Sequence, residues 1–450
     1  MPLNELKPSG RAYEKVLKVA RVGVNDDFFA LGGDSLSTAL AAAELEETGV
    51  DYKDIFTWKT PRAIAERLAE KNEVDLGALN CAALKRDQHL TPYQIYFYDA
   101  MLYSPMQTEL NNPVSLRFPR EVIDPVRLKK ALEAVFANYS VFGTVLSHDD
   151  EGNPVMHYVP GKIIHPEIIE TEEYTTDMLA DLIRPFSLNG ELLYRCRIYS
   201  TQAAVVLNLD TCHLISDGSS MANFMSELFA AYRGEKLRQD HYYYYLETQY
   251  RRQMELEQEA DAQWLMKRFS KEEYICNPTP VFVSRRTGNG QHLCRTRLTL
   301  GQLQEGCEKL RTSLNKMFVA AGLTALSWCS DQNKVTVEWT YNGRDETWKK
   351  YLIGMTIASV PVAVDMAQIH TPMDLLSQID EQNELRMRYA DLSLGNRGVT
   401  PGDRDRMIVV YESGFDMSTF LPEGTETALG YDKLNGAFTR FQIIMYNSSL

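Results

Sequence analysis

Residues 22–39 read VGVNDDFFALGGDSLSTA, and this stretch predicts a helix that begins directly after a glycine turn. Gly32 and Gly33 permit the unusual backbone angles of a tight turn, Asp34 stands where an N-cap belongs, and Ser35 opens the helix. The Ser35 hydroxyl would therefore lie at a positive helix terminus, where free N–H groups and the helix dipole stabilise a phosphodiester. By themselves, Asp34 and Ser35 would indicate only an ordinary helix cap.

Further helical segments surround this stretch on both sides. Apolar residues recur at helical spacing in residues 11–20 and again in residues 35–47. Residues 54–56 suggest a short helical turn, and Thr60 and Pro61 open a last helix as its N-cap and first residue. Four short helices in about seventy residues predict a small all-α four-helix bundle.

The string FFALGGDSL, residues 28–36, inside this helical pattern resembles the peptidyl carrier domains of nonribosomal peptide synthetases along residues 11–70. Phe28 and Phe29 would anchor the loop on the bundle. In that family the serine carries 4'-phosphopantetheine. The resemblance therefore implies a covalent arm on Ser35, a phosphopantetheinyl transferase that installs it, and an upstream adenylation domain.

The composition divides the chain after the helical segment. We expect a carrier domain over residues 1–72, a linker over residues 73–88, and a second domain over residues 89–450. In the second domain, residues 203–210 are an apolar, β-branched run typical of a buried strand, and residues 334–341 alternate like a strand. Strands mixed with helices over this length predict a large α/β unit of two lobes.

Residues 209–235, LDTCHLISDGSSMANFMSELFAAYRGE, contain the candidate reactive group of the second domain. A strand end is a rigid place from which to project His213, whose imidazole can take a proton or position an amine near neutral pH. Asp217 follows four residues later, and Gly218 would permit a sharp bend before an amphipathic helix. An isolated histidine is more often structural, so the surrounding pattern decides its interpretation.

This stretch resembles the condensation domains of nonribosomal peptide synthetases, whose motif is HHxxxDG. The opening motif of that family is similar to residues 90–94 (LTPYQ), its Gly-Arg motif to residues 341–344 (YNGR), and its lobe-bridging strand to residues 353–362. The resemblance implies a two-lobed, chloramphenicol-acetyltransferase-like fold with a tunnel, entered by an acyl thioester from one side and by an amine on a downstream acceptor carrier from the other. His213 would be the catalytic residue that helps the amine attack, and Asp217 would hold the loop through a buried ion pair.

Three positions depart from the pattern of that family: Cys212, Gly143 and Ala358. Cys212 replaces the first histidine and is expected to support the active-site loop, with a nucleophilic thiol as the alternative. Gly143 stands in the place of an arginine, which leaves Asp217 in need of another partner. Arg195 and Arg344 are the two candidates.

These departures leave a second hypothesis open, in which a degenerate domain docks carriers without catalysis. An arginine within reach of Asp217 and an open channel to His213 would favour catalysis. An epimerisation domain is disfavoured because Thr340 stands where that class has an acidic residue. Heterocyclisation is disfavoured because its two-aspartate motif is absent.

Composition and charge exclude other classes of protein. A net charge of -14 and a pI near 5.2 are unfavourable for binding nucleic acid, which requires Lys and Arg at the phosphates. The sequence has no apolar run of the roughly 18 residues that a membrane helix needs. The seven cysteines are scattered without a CxxC pair, which argues against disulfides and a metal site and favours the cytoplasm. We also expect the second lobe to be C-terminally incomplete, because the domains that it resembles continue beyond a strand such as residues 441–446.

Overall fold

The computed structural model describes residues 7–17, 19, 21–31, 38, 41–42, 44–45, 50, 54–55, 58–71, 87–269, 297–310, 312–344, 346–393, 407–412, 420–429 and 441–446. Ser35 and the glycine turn before it lie outside the described residues, as does almost all of the predicted linker.

The first described unit is a small helical core. Helix α1 (Lys7–Leu17) contacts helix α2 (Pro61–Lys71). Buried apolar residues join them: Ala12, Tyr13, Phe28, Ala41, Leu45, Val50, Ile55 and Ile64. The Ala63 N–H donates to Thr60 Oγ1 over 3.2 Å, which confirms the predicted start of the last helix. The complete four-helix bundle stays a prediction.

Phe28 anchors the segment that leads to Ser35. Its side chain is fully buried, and its ring centroid lies 4.5 Å from that of Tyr13. The Phe28 N–H also donates to the carbonyl of Lys59 over 2.9 Å. The predicted anchoring role of Phe28 is confirmed, and Phe29 packs beside it with partial exposure.

The longer unit, from residue 87 onward, mixes strands and helices. Its strands are β1 (Gln88–His89), β2 (Asn111–Pro119), β3 (Thr144–His148), β4 (Pro154–Tyr158), β5 (Glu167–Glu170), β6 (Tyr194–Ser200), β7 (Ala204–Cys212), β8 (Lys334–Tyr341), β9 (Ala358–Asp365), β10 (Met407–Glu412), β11 (Glu426–Leu429) and β12 (Phe441–Tyr446). Its helices are α3 (Pro92–Tyr103), α4 (Pro125–Asn138), α5 (Asp177–Ala180), α6 (Gly218–Arg233), α7 (Tyr242–Leu256), α8 (Ala260–Phe269), α9 (Leu300–Leu310), α10 (Leu314–Ser330) and α11 (Pro372–Arg388). Within the described segments, no helix is long and apolar enough to cross a membrane.

Three sheets organise these strands. A five-stranded sheet has the order β11-β2-β7-β6-β5, a four-stranded sheet has the order β12-β10-β8-β9, and a small sheet has the order β1-β4-β3. Strand β7 pairs with β2 in antiparallel register along its whole length, and every residue of β7 is buried. A strand covered on both faces reads as a continuous apolar run, which is why residues 203–210 predicted it.

Each of the two larger sheets has its own hydrophobic core. Helices α3, α4 and α6 pack around the five-stranded sheet, and α10 and α11 pack around the four-stranded sheet. The predicted two-lobed α/β architecture is confirmed. Gly234, at φ 83°, ends α6 in the left-handed conformation, as expected for a glycine cap.

The predicted lobe-bridging strand requires a correction. Strand β9 lies at the edge of the four-stranded sheet and pairs with β8, whereas β11 is the strand that enters the other sheet, antiparallel to β2. The apolar pattern of β9 is compatible with either sheet, and Pro361, which has no N–H, suits an edge strand. The residues just before β9 do cross between lobes, since Leu352, Ile353 and Met355 belong to the core of the five-stranded lobe.

Candidate functional site

His213 lies immediately after the last residue of β7, and its backbone is fixed on both sides of the strand end. The His213 N–H donates to the carbonyl of Leu110 over 2.6 Å, and the Cys212 N–H donates to the carbonyl of Leu193 over 2.8 Å. The ring centroid of His213 is 4.9 Å from that of Phe97 on α3. The strand end therefore presents the imidazole from a rigid position, as the sequence predicted.

The His213 imidazole is held in a form suited to accept a proton. His213 is half-buried, and its Nδ1 atom is buried. The surrounding protein lowers the pKa of His213, because burial disfavours the charged ring. The nearby backbone oxygens of His213 and Ser216 and the Asp217 carboxylate oppose this effect in part, although Nδ1 has no hydrogen bond of ordinary geometry among the described residues. A lowered pKa keeps the ring neutral near pH 7.

Asp217 is the N-cap of α6 and pairs with Arg344, which lies three residues beyond the end of β8. Ser220 donates its backbone N–H to Asp217 Oδ1 over 2.7 Å. The Arg344 guanidinium contacts both carboxylate oxygens at 3.0 Å, and the Thr356 N–H donates to Oδ2 over 2.9 Å. Burial alone would raise the pKa of Asp217, but the Arg344 charge and these hydrogen bonds reverse the effect and lower it.

Of the two arginines considered as partners for Asp217, the structure pairs Arg344 with it. Arg195 instead contacts Glu191 at 2.8 Å and Asp210 at 3.4 Å. The expected buried ion pair of Asp217 is therefore present in the protein. Its arginine is Arg344, and the position where the family carries an arginine is occupied by Gly143. Ser220 adds to the same arrangement, because its Oγ accepts from Arg344 Nη2 over 3.0 Å and donates to the Gly354 carbonyl.

Gly218 differs from its prediction. It is the first residue of α6, and its φ angle lies outside the left-handed region. The turn at this point therefore requires no unusual backbone angle. The change of direction occurs at Asp217, which is extended with φ -132° and ψ 177°. A supporting role for Gly218 in the loop stays a prediction.

Gln94, from the predicted opening motif, holds the His213 loop from the side of α3. Its Nε2 donates to the Leu214 carbonyl over 2.9 Å and to the Tyr242 hydroxyl over 3.0 Å. Its Oε1 accepts the Thr91 N–H over 2.9 Å, which completes a capping box at the start of α3. Tyr242 donates in turn to the Met355 carbonyl over 3.0 Å, so one buried glutamine links the opening motif, the loop and the crossing segment.

Cys212 is buried away from solvent, with its Sγ 3.9 Å from the Met101 sulfur. Burial raises the pKa of the Cys212 thiol to about 12. The thiolate is the reactive form, so burial and the raised pKa of Cys212 disfavour a nucleophilic role. A supporting role remains as the prediction for this residue.

Gly143 has no space for a side chain. A Cβ placed on Gly143 would lie 2.6 Å from Cε2 of Tyr158. The Tyr158 ring thus fills the direction in which an arginine would extend. The third departure, Ala358, is buried in β9 opposite Tyr341 of β8.

Sequence reasoning missed two kinds of residue at this site. Thr356 had no signal of its own, because its shorter contact with Asp217, at 2.9 Å, is made by a backbone N–H, and its hydroxyl contacts the same carboxylate oxygen at 3.4 Å. Asn111 and Asp210 are polar residues inside apolar strands. A polar residue in such a strand could have indicated a buried polar cluster. Their side chains meet near the end of β7, with Asn111 Nδ2 2.7 Å from Asp210 Oδ2.

Comparisons with known proteins agree with this geometry. Residues 85–396 match the condensation domain family, and residues 11–68 match the phosphopantetheine attachment site family. Surfactin synthase subunit 2 of Bacillus subtilis (strain 168) is 29% identical over 234 residues, which are 50% of this chain and 6% of that relative. A linear gramicidin synthase of Brevibacillus parabrevis is 25% identical over 400 residues, which are 82% of this chain and 5% of that relative.

The fold is also similar to a solved structure. The first condensation domain of the CDA synthetase superposes with a TM-score of 0.57 at 15% identity, covering 80% of this chain and 89% of that one. At this identity the likeness concerns the fold, which is two-lobed as in the present chain. Because the first family match spans well over half of the residues, the chain belongs to the condensation domain family of nonribosomal peptide synthetases, with a phosphopantetheine attachment site in its first part.

Proposed function

We propose that the chain is a carrier–condensation pair that forms an amide bond between carrier-bound substrates. The observation that carries this proposal is His213 at the end of β7, beside a loop fixed by the buried pair of Asp217 and Arg344. The relatives are synthetases of which this chain covers about a twentieth, so the substrates and product belong to the proposal.

The reaction joins an amine to an acyl thioester. The amine nitrogen bonds to the thioester carbonyl carbon, the carbon–sulfur bond breaks, and the proton lost by the amine ends on the departing thiol. His213, neutral near pH 7, would position the amine or receive that proton in transit. Arg344 and Asp217 would hold the loop and take no part in proton transfer.

Ser35 is proposed as the attachment point of 4'-phosphopantetheine. When bound, this group supplies a thiol that carries the acyl substrate as a thioester. The described neighbours fit that role, since Phe28 is buried while Ala30, five residues before Ser35, is exposed. Residues 1–72, 73–88 and 89–450 are proposed as carrier, linker and condensation domain, acting in the cytoplasm with a phosphopantetheinyl transferase, an upstream adenylation domain and a downstream acceptor carrier.

A carrier-docking domain without catalysis is the second candidate function. Gly143 favours it, because the Tyr158 ring occupies the space of the family's arginine. The presence of Arg344 on Asp217 favours the catalytic function instead, since it provides the ion pair by another route.

A single-turnover assay separates the two functions. The Ser35 arm is loaded with an aminoacyl-pantetheine, and an amine on a separate acceptor carrier is added, with product read by mass. We expect an amide from the wild type, and a rate lower by about 10²- to 10⁴-fold for His213→Ala, which removes the proton acceptor. Ser35→Ala is the matched control and should neither load nor form product.

Loading and condensation fail separately in this assay. A gain of one pantetheine group on the wild type, absent from Ser35→Ala, tests the carrier. Efficient loading without amide from either the wild type or His213→Ala would overturn catalysis and support the docking function.

A further inference from the structure

A buried charged cluster lies in the sheet at the end of β7 that precedes His213. Asp210, three residues before His213 on β7, accepts a hydrogen bond from Asn111 Nδ2 over 2.7 Å and contacts Arg195 Nη1 at 3.4 Å. Arg195 stands opposite Asp210 in the register of β6 with β7. All three side chains are at least nine-tenths buried.

This cluster is joined to His213 through the neighbouring backbone. Asn111 pairs with Cys212 in the register of β2 with β7. The residue before it, Leu110, accepts the His213 N–H over 2.6 Å. A displacement of Asn111 would therefore move the acceptor that fixes the histidine.

Arg195 is held tightly from its other side. Its guanidinium donates to the carbonyls of Arg184 and Pro185 over 2.7 and 2.9 Å, and to Glu191 Oε1 over 2.8 Å. The Phe186 ring centroid lies 3.9 Å from the guanidinium carbon. The cation is thus a fixed point against which the Asp210 carboxylate is drawn.

The arrangement is costly for stability. Asp210 is completely buried, and among the described residues its Oδ1 and the Nε of Arg195 have no hydrogen-bond partner. Leaving buried polar atoms unpaired destabilises a fold. A costly polar cluster at the base of a reactive residue is typical of a functional requirement.

We propose that Asp210 is a positioning residue for His213, which as an anion holds Asn111 and Arg195 together and thereby fixes the strand end that presents the imidazole. This inference rests on the proposed function, because the imidazole is positioned for the condensation reaction. Asp210 acts through Asn111 and the Leu110 carbonyl and does not touch substrate.

The charge of Asp210, and with it the position of His213, depends on pH. The charged and titratable groups facing Asp210 are Arg195 on β6, Arg184 and Glu191 before β6, and the Cys212 thiol on its own strand, while β2 contributes the neutral Asn111 amide. Burial raises the pKa of Asp210 from 3.8 to about 7, although Asn111 and Arg195 oppose it. Acidification through pH 7 would therefore neutralise the carboxylate and remove the charge that draws it toward the fixed Arg195 guanidinium.

Ionisation of Asp210 lowers the stability of the fold but raises the expected condensation rate. The pKa of Asp210 is higher in the folded protein than in the unfolded chain. Its contribution to the stability of the fold is therefore complete below pH 3.8 and is lost as the pH rises through about 7. The ionised form that positions His213 is thus the less stable one. A residue with a merely structural role would lose stability and activity together.

The experiment compares Asp210→Asn with the wild type, with Asp210→Glu as the conservative variant and the exposed Asp181→Asn as control. We expect Asp210→Asn to lower the single-turnover rate at pH 8 by about 10- to 100-fold, since a small misplacement near the chemistry has that effect. Its Tm at pH 8 should equal or exceed that of the wild type. Asp210→Glu should recover part of the rate, and Asp181→Asn should behave as the wild type.

Hydrogen exchange at the His213 amide, corrected for the intrinsic rate, provides a readout that needs no activity. Wild-type protection should fall as the pH drops through about 7. Asp210→Asn should be less protected than the wild type at pH 8, should show no such pH dependence, and should approach the wild type at pH 6. Wild-type exchange and rate in Asp210→Asn, or a rate loss accompanied by a proportionate fall in Tm, would overturn the proposal. If the wild type forms no amide, the proposed function fails, and the exchange profile alone decides whether Asp210 positions His213.

Discussion

The Arg344 guanidinium faces the Asp217 carboxylate through two nitrogen–oxygen contacts of 3.0 Å, although 127 residues separate them in the sequence. Both side chains are almost completely buried. Arg344 also donates to the Gly354 carbonyl over 3.0 Å, so the pair ties the loop after β7 to the segment that crosses between the lobes. The loop that carries His213 therefore depends on a residue of the other lobe.

Removing Arg344 should destabilise the protein strongly. Arg344→Ala leaves Asp217 as a buried carboxylate without its cation, which typically costs about 3–5 kcal/mol. Urea unfolding at pH 7 measures the change in free energy. Arg233→Ala is the control, because its contact with Glu235 is exposed and should contribute little. Equal effects of the two variants would contradict the role assigned to Arg344.

The same pair should make stability dependent on acid. The lowered pKa of Asp217 gives a contribution that is present above the unfolded value of about 3.9 and lost as the pH falls through the folded value. The stability difference between wild type and Asp217→Asn, measured by urea unfolding from pH 2.5 to 7, should therefore grow with pH. A constant difference over that range would show that Asp217 is not selectively stabilised as an anion.

Gln94→Leu should disturb both the loop and the lobe contact. The variant preserves the approximate size of the side chain but leaves the Leu214 carbonyl without its buried donor, at a cost of about 1–3 kcal/mol. The condensation rate should fall with it, because Leu214 adjoins His213. Gln263→Leu is the control, since that amide contacts the Glu257 carbonyl on an exposed surface. A wild-type rate and stability for Gln94→Leu would refute the connection.

Cys212 should resist alkylation in the folded protein. It is buried and its thiol has a pKa raised to about 12, whereas Cys329 is an exposed thiol. Peptide mapping after brief treatment with iodoacetamide at pH 8 should find Cys329 modified and Cys212 unmodified. Denaturant should abolish the difference. Rapid modification of Cys212 in the folded state would restore the nucleophile hypothesis.

Gly143→Ala should be destabilising, by about 1–3 kcal/mol, because the new Cβ overlaps the Tyr158 ring. Gly306→Ala is the opposite control: it lies inside α9 with no atom near the added Cβ, and alanine should stabilise that helix by about 0.5–1 kcal/mol. Thermal unfolding of the two variants gives the signs. A neutral Gly143→Ala would mean that the Tyr158 ring moves aside for a side chain at this position.

The parts of the molecule with local signals were predictable from the sequence. The cap at Thr60, the anchor at Phe28 and the buried strand β7 each depend on residues that are close together in the chain. Turn chemistry and apolar periodicity encode such features directly. Arg344 could be named because its motif suggested it, but Arg195 was an equal candidate, since neither arginine carries a local sign of its partner.

The contacts between distant segments were not predictable. Gln94 meets Leu214 across 120 residues, and β11 enters a sheet built mainly from strands much earlier in the chain. Apolar alternation specifies which face of a strand is buried and leaves its neighbour undetermined. Asp210 was overlooked because it lies in an apolar run, where a buried polar residue gives no hint of which strand supplies its partner.

His213 should show its lowered pKa in the pH dependence of stability. Burial disfavours the protonated ring, so the fold is stabilised fully above the unfolded value of about 6.5, and this contribution is lost as the pH falls through the folded value. His213→Ala removes the effect while leaving the other seven histidines in place. The stability of the wild type minus that of His213→Ala, from urea unfolding between pH 5 and 8, should therefore rise with pH and level off above about 7. Parallel curves for the two proteins would mean that the pKa of His213 is the same in the folded protein as in the unfolded chain. Substrate binding would then have to lower that pKa for the imidazole to be neutral during the reaction.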